Sequence, residues 1–154
     1  MSDTEPPGRI SCCGSGSSGS ACVFSKALLA RSAVCECSER RSVGERELVE
    51  CNSAVAHTNC GTLAALLHER ARFALRLPSP GHVMVHAQAL RLQCGGLIGL
   101  QQALGAAQPD VHRMVAVAHE RHGSLTELPW DAIVQVLKQW QARRPRQPPS
   151  PPEP

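Results

Sequence analysis

C-E-C-S-E-R-R-S-V-G-E-R-E-L-V-E-C-N-S-A-V-A-H-T-N-C, residues 35–60, is the stretch on which the fold turns. It is charged, holds no long apolar run, and carries thiols at Cys35, Cys37, Cys51 and Cys60. We read 34–57 as mostly irregular, with one helical turn over 43–50. That turn would open at Ser42 as N-cap, with Glu45 three residues on in the capping-box pattern.

Outward from it, the pattern is helical. The first strong helix is expected over 59–76, capped by Thr58 or Asn59 and stopped by Leu77-Pro78-Ser79-Pro80-Gly81. At 100° per residue Cys60, Leu63, Leu66, Leu67, Ala74 and Leu77 share its face, with Arg70 near the middle. Arg70 would snorkel to the rim or pair with a negative charge.

A second helix is expected over 82–104, with Val83, Ala87, Leu90, Cys94, Leu97 and Ile98 as its stripe. Gly95-Gly96 interrupts it, which predicts a kink or the close approach of something bulky. Pro109-Asp110 opens a third helix to His122, stopped by Gly123, with Val111, Met114, Val115, Ala118 and His122 inward. Ser124 with Glu127 and then Pro129 predict a fourth, to about Arg143, burying Ile133, Val134, Leu137 and Trp140. Upstream, a short helix is expected over 21–33, with Cys22 near Phe24 and Leu28.

The fold expected is therefore all-α: a small four-helix bundle-like domain over 21–142, preceded by a Cys-bearing loop. Residues 1–20, rich in Gly, Ser and Pro, and the Arg/Pro-rich 143–154 are expected to be disordered tails. Composition agrees with helices, since aromatics make up 3% of the chain and Tyr is absent. Strands draw on aromatic and β-branched side chains that are scarce here.

The formal charge of +3 is too diffuse, and too poor in interleaved aromatics, for a nucleic-acid face. The preference for Arg over Lys and the abundant Ala suit a GC-rich bacterial genome. No run reaches the roughly 20 apolar residues that span a bilayer, and the acidic start is no secretory signal. A cytoplasmic location is the expectation, without membrane insertion. In that reducing setting the eight Cys argue for metal, redox chemistry or burial rather than a disulfide framework.

The pattern with chemical potential is Cys35-x-Cys37-x13-Cys51-x8-Cys60-x33-Cys94. Four thiolates arriving from different backbone directions are what an iron–sulfur centre takes. Our ligand set is Cys37, Cys51, Cys60 and Cys94, with Cys35 as a substitute, assembled if the helices bearing Cys60 and Cys94 pack as a hairpin. Cys60 at a helix start would have its thiol pKa lowered by the backbone dipole.

Zinc is the alternative metal. His57 precedes Cys60 by three residues, and His82 and His86 stand at i, i+4. His112, His119 and His122 read as surface histidines, the last two favoured by a helix C-terminus. A Cys60/His57 nucleophilic pair has no orienting third group. Cys12 and Cys13 read as incidental thiols.

The expected function is a small metal- or iron–sulfur-cluster-binding protein, more a carrier than an enzyme. It would act in electron transfer, redox sensing or cofactor assembly beside a larger redox or maturation protein. The alternative from a different class is a metal-free helical adaptor whose thiols are simply buried.

Overall fold

The computed structural model describes residues 19–143. The expectations for the outer tails, Cys12 and Cys13 included, lie outside the described residues.

The fold is mixed rather than all-α. Among the described residues the elements run β1 (Ser20–Ala21), α1 (Ser25–Leu29), β2 (Ser38–Val43), β3 (Arg46–Cys51), α2 (Ala54–Leu75), α3 (His86–Leu104), α4 (Val111–His122) and α5 (Trp130–Gln139), with a 3-10 turn at Leu125–Glu127 before α5. The strands form one antiparallel sheet in the order β1-β3-β2.

The stretch expected to be a loop with a helical turn is a hairpin instead. Val43 pairs with Arg46, so Gly44 and Glu45 alone make the loop. Gly44 takes φ +61°, a value a glycine adopts without steric cost. Gly at the first central position of a two-residue loop is the Gly-X signal for a tight hairpin. This register excludes a helix over 43–50, because Arg46 to Glu50 are paired in extended conformation with the strand opposite.

Side-chain alternation is nearly absent from the hairpin, since of all its strand residues only Val49 is buried. Diagonal ion pairs lie across it, Arg40 to Glu47 at 2.7 Å and Arg41 to Glu50 at 3.6 Å. Arg40 also donates to the Leu28 carbonyl at 2.9 Å, tying the hairpin to α1.

The helix α2 begins five residues earlier than Thr58 or Asn59 would place it. Ser53 is the N-cap, its hydroxyl accepting from the Ala56 N–H at 3.2 Å. The Thr58 hydroxyl instead donates back to the Ala54 carbonyl at 3.0 Å, as hydroxyls in helix interiors do. Ala56, Cys60, Leu63, Leu67 and Ala71 are its buried residues. Arg70 is exposed with its guanidinium 6.0 Å from the Trp130 ring centroid, so the cation rests on an aromatic face.

The α3 helix starts at His86, which leaves Val83 outside it and 94% exposed. It is continuous through its glycines, and the close approach is the reason for them. A Cβ on Gly96 would stand 2.7 Å from Leu67 Cδ2 of α2, and one on Gly99 2.8 Å from the Ile133 carbonyl oxygen of α5. The α3 and α5 helices therefore meet nearly backbone to backbone, while Gly96 makes room for the Leu67 side chain of α2.

Asp110 caps α4 by accepting from the Arg113 N–H at 3.0 Å. Ser124 caps the 3-10 turn rather than α5, accepting from the Thr126 N–H. In α5 Ile133 and Leu137 are fully buried, and the indole of Trp130 donates to the Leu125 carbonyl at 3.1 Å. Among the described residues no helix is long and apolar enough to cross a membrane.

The glycines of α2 and α3 give opposite expectations. Gly99→Ala forces the α3–α5 backbones apart and lowers unfolding free energy by about 1–3 kcal/mol. Gly61→Ala, in open space on α2, raises it by up to about 1 kcal/mol through helix propensity. Urea midpoints of the two variants against the parent measure both signs.

Candidate functional site

The sheet gathers thiols that lie far apart in sequence. Cys51 is the last residue of the central strand β3 and sits opposite both Ser20 of β1 and Ser38 of β2. Just past β1, the Cys22 N–H donates to the Val49 carbonyl at 2.9 Å, holding Cys22 beside the same strand. Cys35 is fixed by a short parallel bridge between Val34 and Asp110. In it the Val34 N–H donates to Pro109 at 3.0 Å and the Val111 N–H to Val34 at 2.8 Å. Cys60 comes from the second turn of α2, whose cap Ser53 follows Cys51 by two residues.

Cys22, Cys35, Cys51 and Cys60 consequently line one cavity of about 10 Å³, with His57 and Ser38 beside them and Val23 and Val111 among its apolar walls. Each of the four belongs to a different chain segment. The His57 ring meets the Ala21 carbonyl through Nε2 at 3.1 Å. Since a carbonyl only accepts, Nε2 is the donor in this contact.

Backbone donors are aimed at two of the sulfurs. Cys22 Sγ accepts from the Phe24 N–H. Cys35 Sγ accepts from the N–H groups of Cys37 and His112, the latter in the first turn of α4. Such bonds favour the thiolate. Cys51 differs, its thiol donating to the Ser53 carbonyl at 3.3 Å.

Burial dominates the titration of the thiols all the same. Desolvation pushes Cys22 and Cys35 above their ordinary value, the N–H bonds opposing it and neighbouring negative groups adding to it. Cys60 is pushed up to about 12 by burial first, then by the charges that Cys35, Cys22 and Cys51 would carry. The helix dipole does not lower it as expected, because α2 starts at Ala54 and leaves Cys60 beyond the first turn.

The residues singled out from sequence fall in three places. Cys35, Cys51 and Cys60 are brought together. Cys37 is buried at the foot of β2, its carbonyl accepting from the Asn52 N–H at 2.9 Å. Cys94 lies in the core face of α3 and does not line the thiol cavity; its thiol is bonded to the Ser32 side chain, and burial raises its pKa.

Cys22, assigned to a helix in the sequence pattern, joins the cavity because it sits between β1 and α1. Its signal was the pairing of residues 20–22 with the hairpin, which a loop assignment for 34–57 hides. His82 precedes α3 and only His86 lies in it, so the i, i+4 pair does not form on one helix. His86 instead meets Lys26 Nζ at 3.4 Å.

Among the described residues no group of three or more His, Cys, Asp or Glu side chains is gathered tightly enough to hold a metal ion. The thiols border a common void without closing on one point. No protein-family model, curated protein or solved structure matches the chain.

Thiols whose pKa rises on folding stabilise the fold below their ordinary value of 9.0 and lose that contribution as pH climbs toward the folded value, about 12 for Cys60. The metal-free protein is therefore expected to lose stability steadily between pH 9 and pH 12. Cys60→Ala should flatten this loss, with Cys22, Cys35 and Cys94 keeping a smaller one of the same sign. Urea midpoints of the two proteins across that range measure the difference in slope.

Proposed function

We propose that this chain holds a thiolate-bound inorganic centre, an iron–sulfur cluster, on Cys22, Cys35, Cys51 and Cys60. The observation that carries it is the convergence of these four thiols, from four chain segments, on one cavity. The N–H bonds to Cys22 and Cys35 support it further, because hydrogen bonds to sulfur are how proteins stabilise and tune such centres.

An all-Cys set of four is the donor chemistry of iron–sulfur clusters and of structural zinc alike. The cluster is the first reading because its usual ligand set is four Cys, the number that lines this cavity. Zinc is the second reading, favoured by the small size of the void and by His57 on its wall. In either case the thiols give up their protons on binding, and the charge of the metal offsets the burial and the mutual repulsion that raise Cys60.

Cys22, Cys35 and Cys51 are only half-buried, a depth suited to exchange with a docked protein. We place the chain beside a larger redox or maturation protein, in electron transfer, redox sensing or cofactor assembly. Cys37 and Cys94 are left outside the ligand set, Cys94 as a small core side chain of α3.

Anaerobic purification tests this directly. The expected product is brown, with iron and acid-labile sulfide in stoichiometric amounts, whereas stoichiometric zinc in colourless protein would select the second reading. Cys22→Ser, Cys35→Ser, Cys51→Ser and Cys60→Ser should each lose the centre, and Cys94→Ser should retain it. Well-folded parent protein without any metal would favour the metal-free adaptor and overturn the proposal.

A further inference from the structure

An open cavity of about 600 Å³ lies between the residues that follow α1, the α3 helix and the segment that follows α5. That is the size class of small-molecule sites. It shares no lining residue with the thiol cavity.

Its apolar wall is fixed. Leu90 and Ile98 recur on one face of α3 and are both half-buried. Trp140 is pressed against the same helix, since a Cβ on Gly95 would stand 3.1 Å from the Trp140 Cβ. The Trp140 N–H donates to the Val136 and Leu137 carbonyls at 3.1 and 3.3 Å, which holds its backbone to the end of α5. An indole anchored in this way offers a preorganised apolar surface, so little ordering is left for a ligand to bring about.

The polar side of the cavity is cationic. Arg31 and Arg143 line it and are exposed, with no Asp or Glu beside them in the lining. Among the described residues neither guanidinium has an ion-pair partner. Nor are they needed to cap the two helices that end here, whose carbonyls have other donors. The Leu28 carbonyl accepts from the Arg31 N–H at 3.1 Å and from the Arg40 guanidinium at 2.9 Å, and the Lys138 carbonyl accepts from Arg91.

We infer that this cavity binds a small organic anion with a flat apolar body, the body against Trp140, Leu90 and Ile98 and the head group, a carboxylate or a phosphate, between Arg31 and Arg143. A guanidinium meets either head group through two parallel N–H bonds. Two cations at one rim without a counter-charge repel each other, and an anion placed between them relieves that repulsion. The site is separate from the thiolate centre proposed above and stands or falls without it.

Isothermal titration calorimetry of the full chain with naphthoate and with naphthyl phosphate tests this. Naphthalenemethanol serves as the neutral body, and acetate and inorganic phosphate as the bare head groups. At least one of the two naphthyl anions should saturate below about 1 mM, and the one that binds more tightly identifies the head group. The alcohol and the bare head groups should bind at least about tenfold more weakly. Arg31→Gln and Arg143→Gln, at exposed positions, should each weaken the anion about tenfold, as the loss of one charge-assisted contact implies. Arg76→Gln, likewise exposed and at positive φ but outside the cavity, should bind as the parent does.

No saturation by either naphthyl anion would overturn the inference. So would parent-like affinity in both cavity variants, an equal loss in Arg76→Gln, or a neutral alcohol that binds as tightly as the anions.

Discussion

The backbone ladder of β3 is the constraint from which the thiol cavity follows. As the central strand it binds β1 on one edge and β2 on the other, and each edge delivers a cysteine-bearing segment to the end that carries Cys51. The segment before β2 reaches it through the Asn52 N–H to Cys37 carbonyl bond at 2.9 Å, the segment after β1 through the Cys22 N–H to Val49 carbonyl bond at 2.9 Å. The chain then turns at once into α2 under the Ser53 cap, which places Cys60 two turns away on the inner face. Backbone hydrogen bonds, rather than packing of the sulfurs, set the convergence.

The helices were legible in the sequence because their apolar residues recur with helical period and their stops are chemically distinct. Pro109-Asp110 and Gly123 bracket α4 as read, since a carboxylate cap and a glycine at positive φ act locally and need no tertiary context. The hairpin was not legible. Strand signals depend on one buried face, and here only Val49 supplies it while Glu39, Arg40, Arg41, Arg46 and Glu47 are all in solvent. The remaining cue was the single glycine at the tip, and Ser42 with Glu45 imitates a helix cap around it. Once that segment is misassigned, Cys22 has no strand to pair with and drops out of the set, while Cys94 gains weight from glycines whose purpose is helix packing.

Two kinds of cohesion meet at the site. The helical part is held by close packing, with α3 glycines admitting the α5 backbone and the Leu67 side chain of α2 and Leu63, Leu97, Ile133 and Leu137 sealed between the helices. Such an interior responds to a single added methyl group. The sheet, by contrast, buries little, and its salt bridges join half-exposed groups worth at most about 1 kcal/mol each. Two-stranded hairpins of this kind are marginal alone, so this one depends on its attachments through Arg40 to α1 and through Val49, Cys51 and Ser53 to the bundle.

The thiols lie along that seam, which bears on how the proposed centre would act. Cys60 belongs to the packed helical side, while Cys22, Cys35 and Cys51 are held by short strands and loops. Without a cation, burial and mutual repulsion keep Cys22, Cys35 and Cys60 protonated, and a neutral thiol does not pull its neighbours inward. A bound cation adds an attraction to each thiolate that outweighs burial and repulsion together, and tightens the weak half of the fold against the strong half. The raised thiols of the metal-free protein and the affinity proposed for the loaded one thus have the same origin, four sulfurs held close in a medium that solvates their charge poorly.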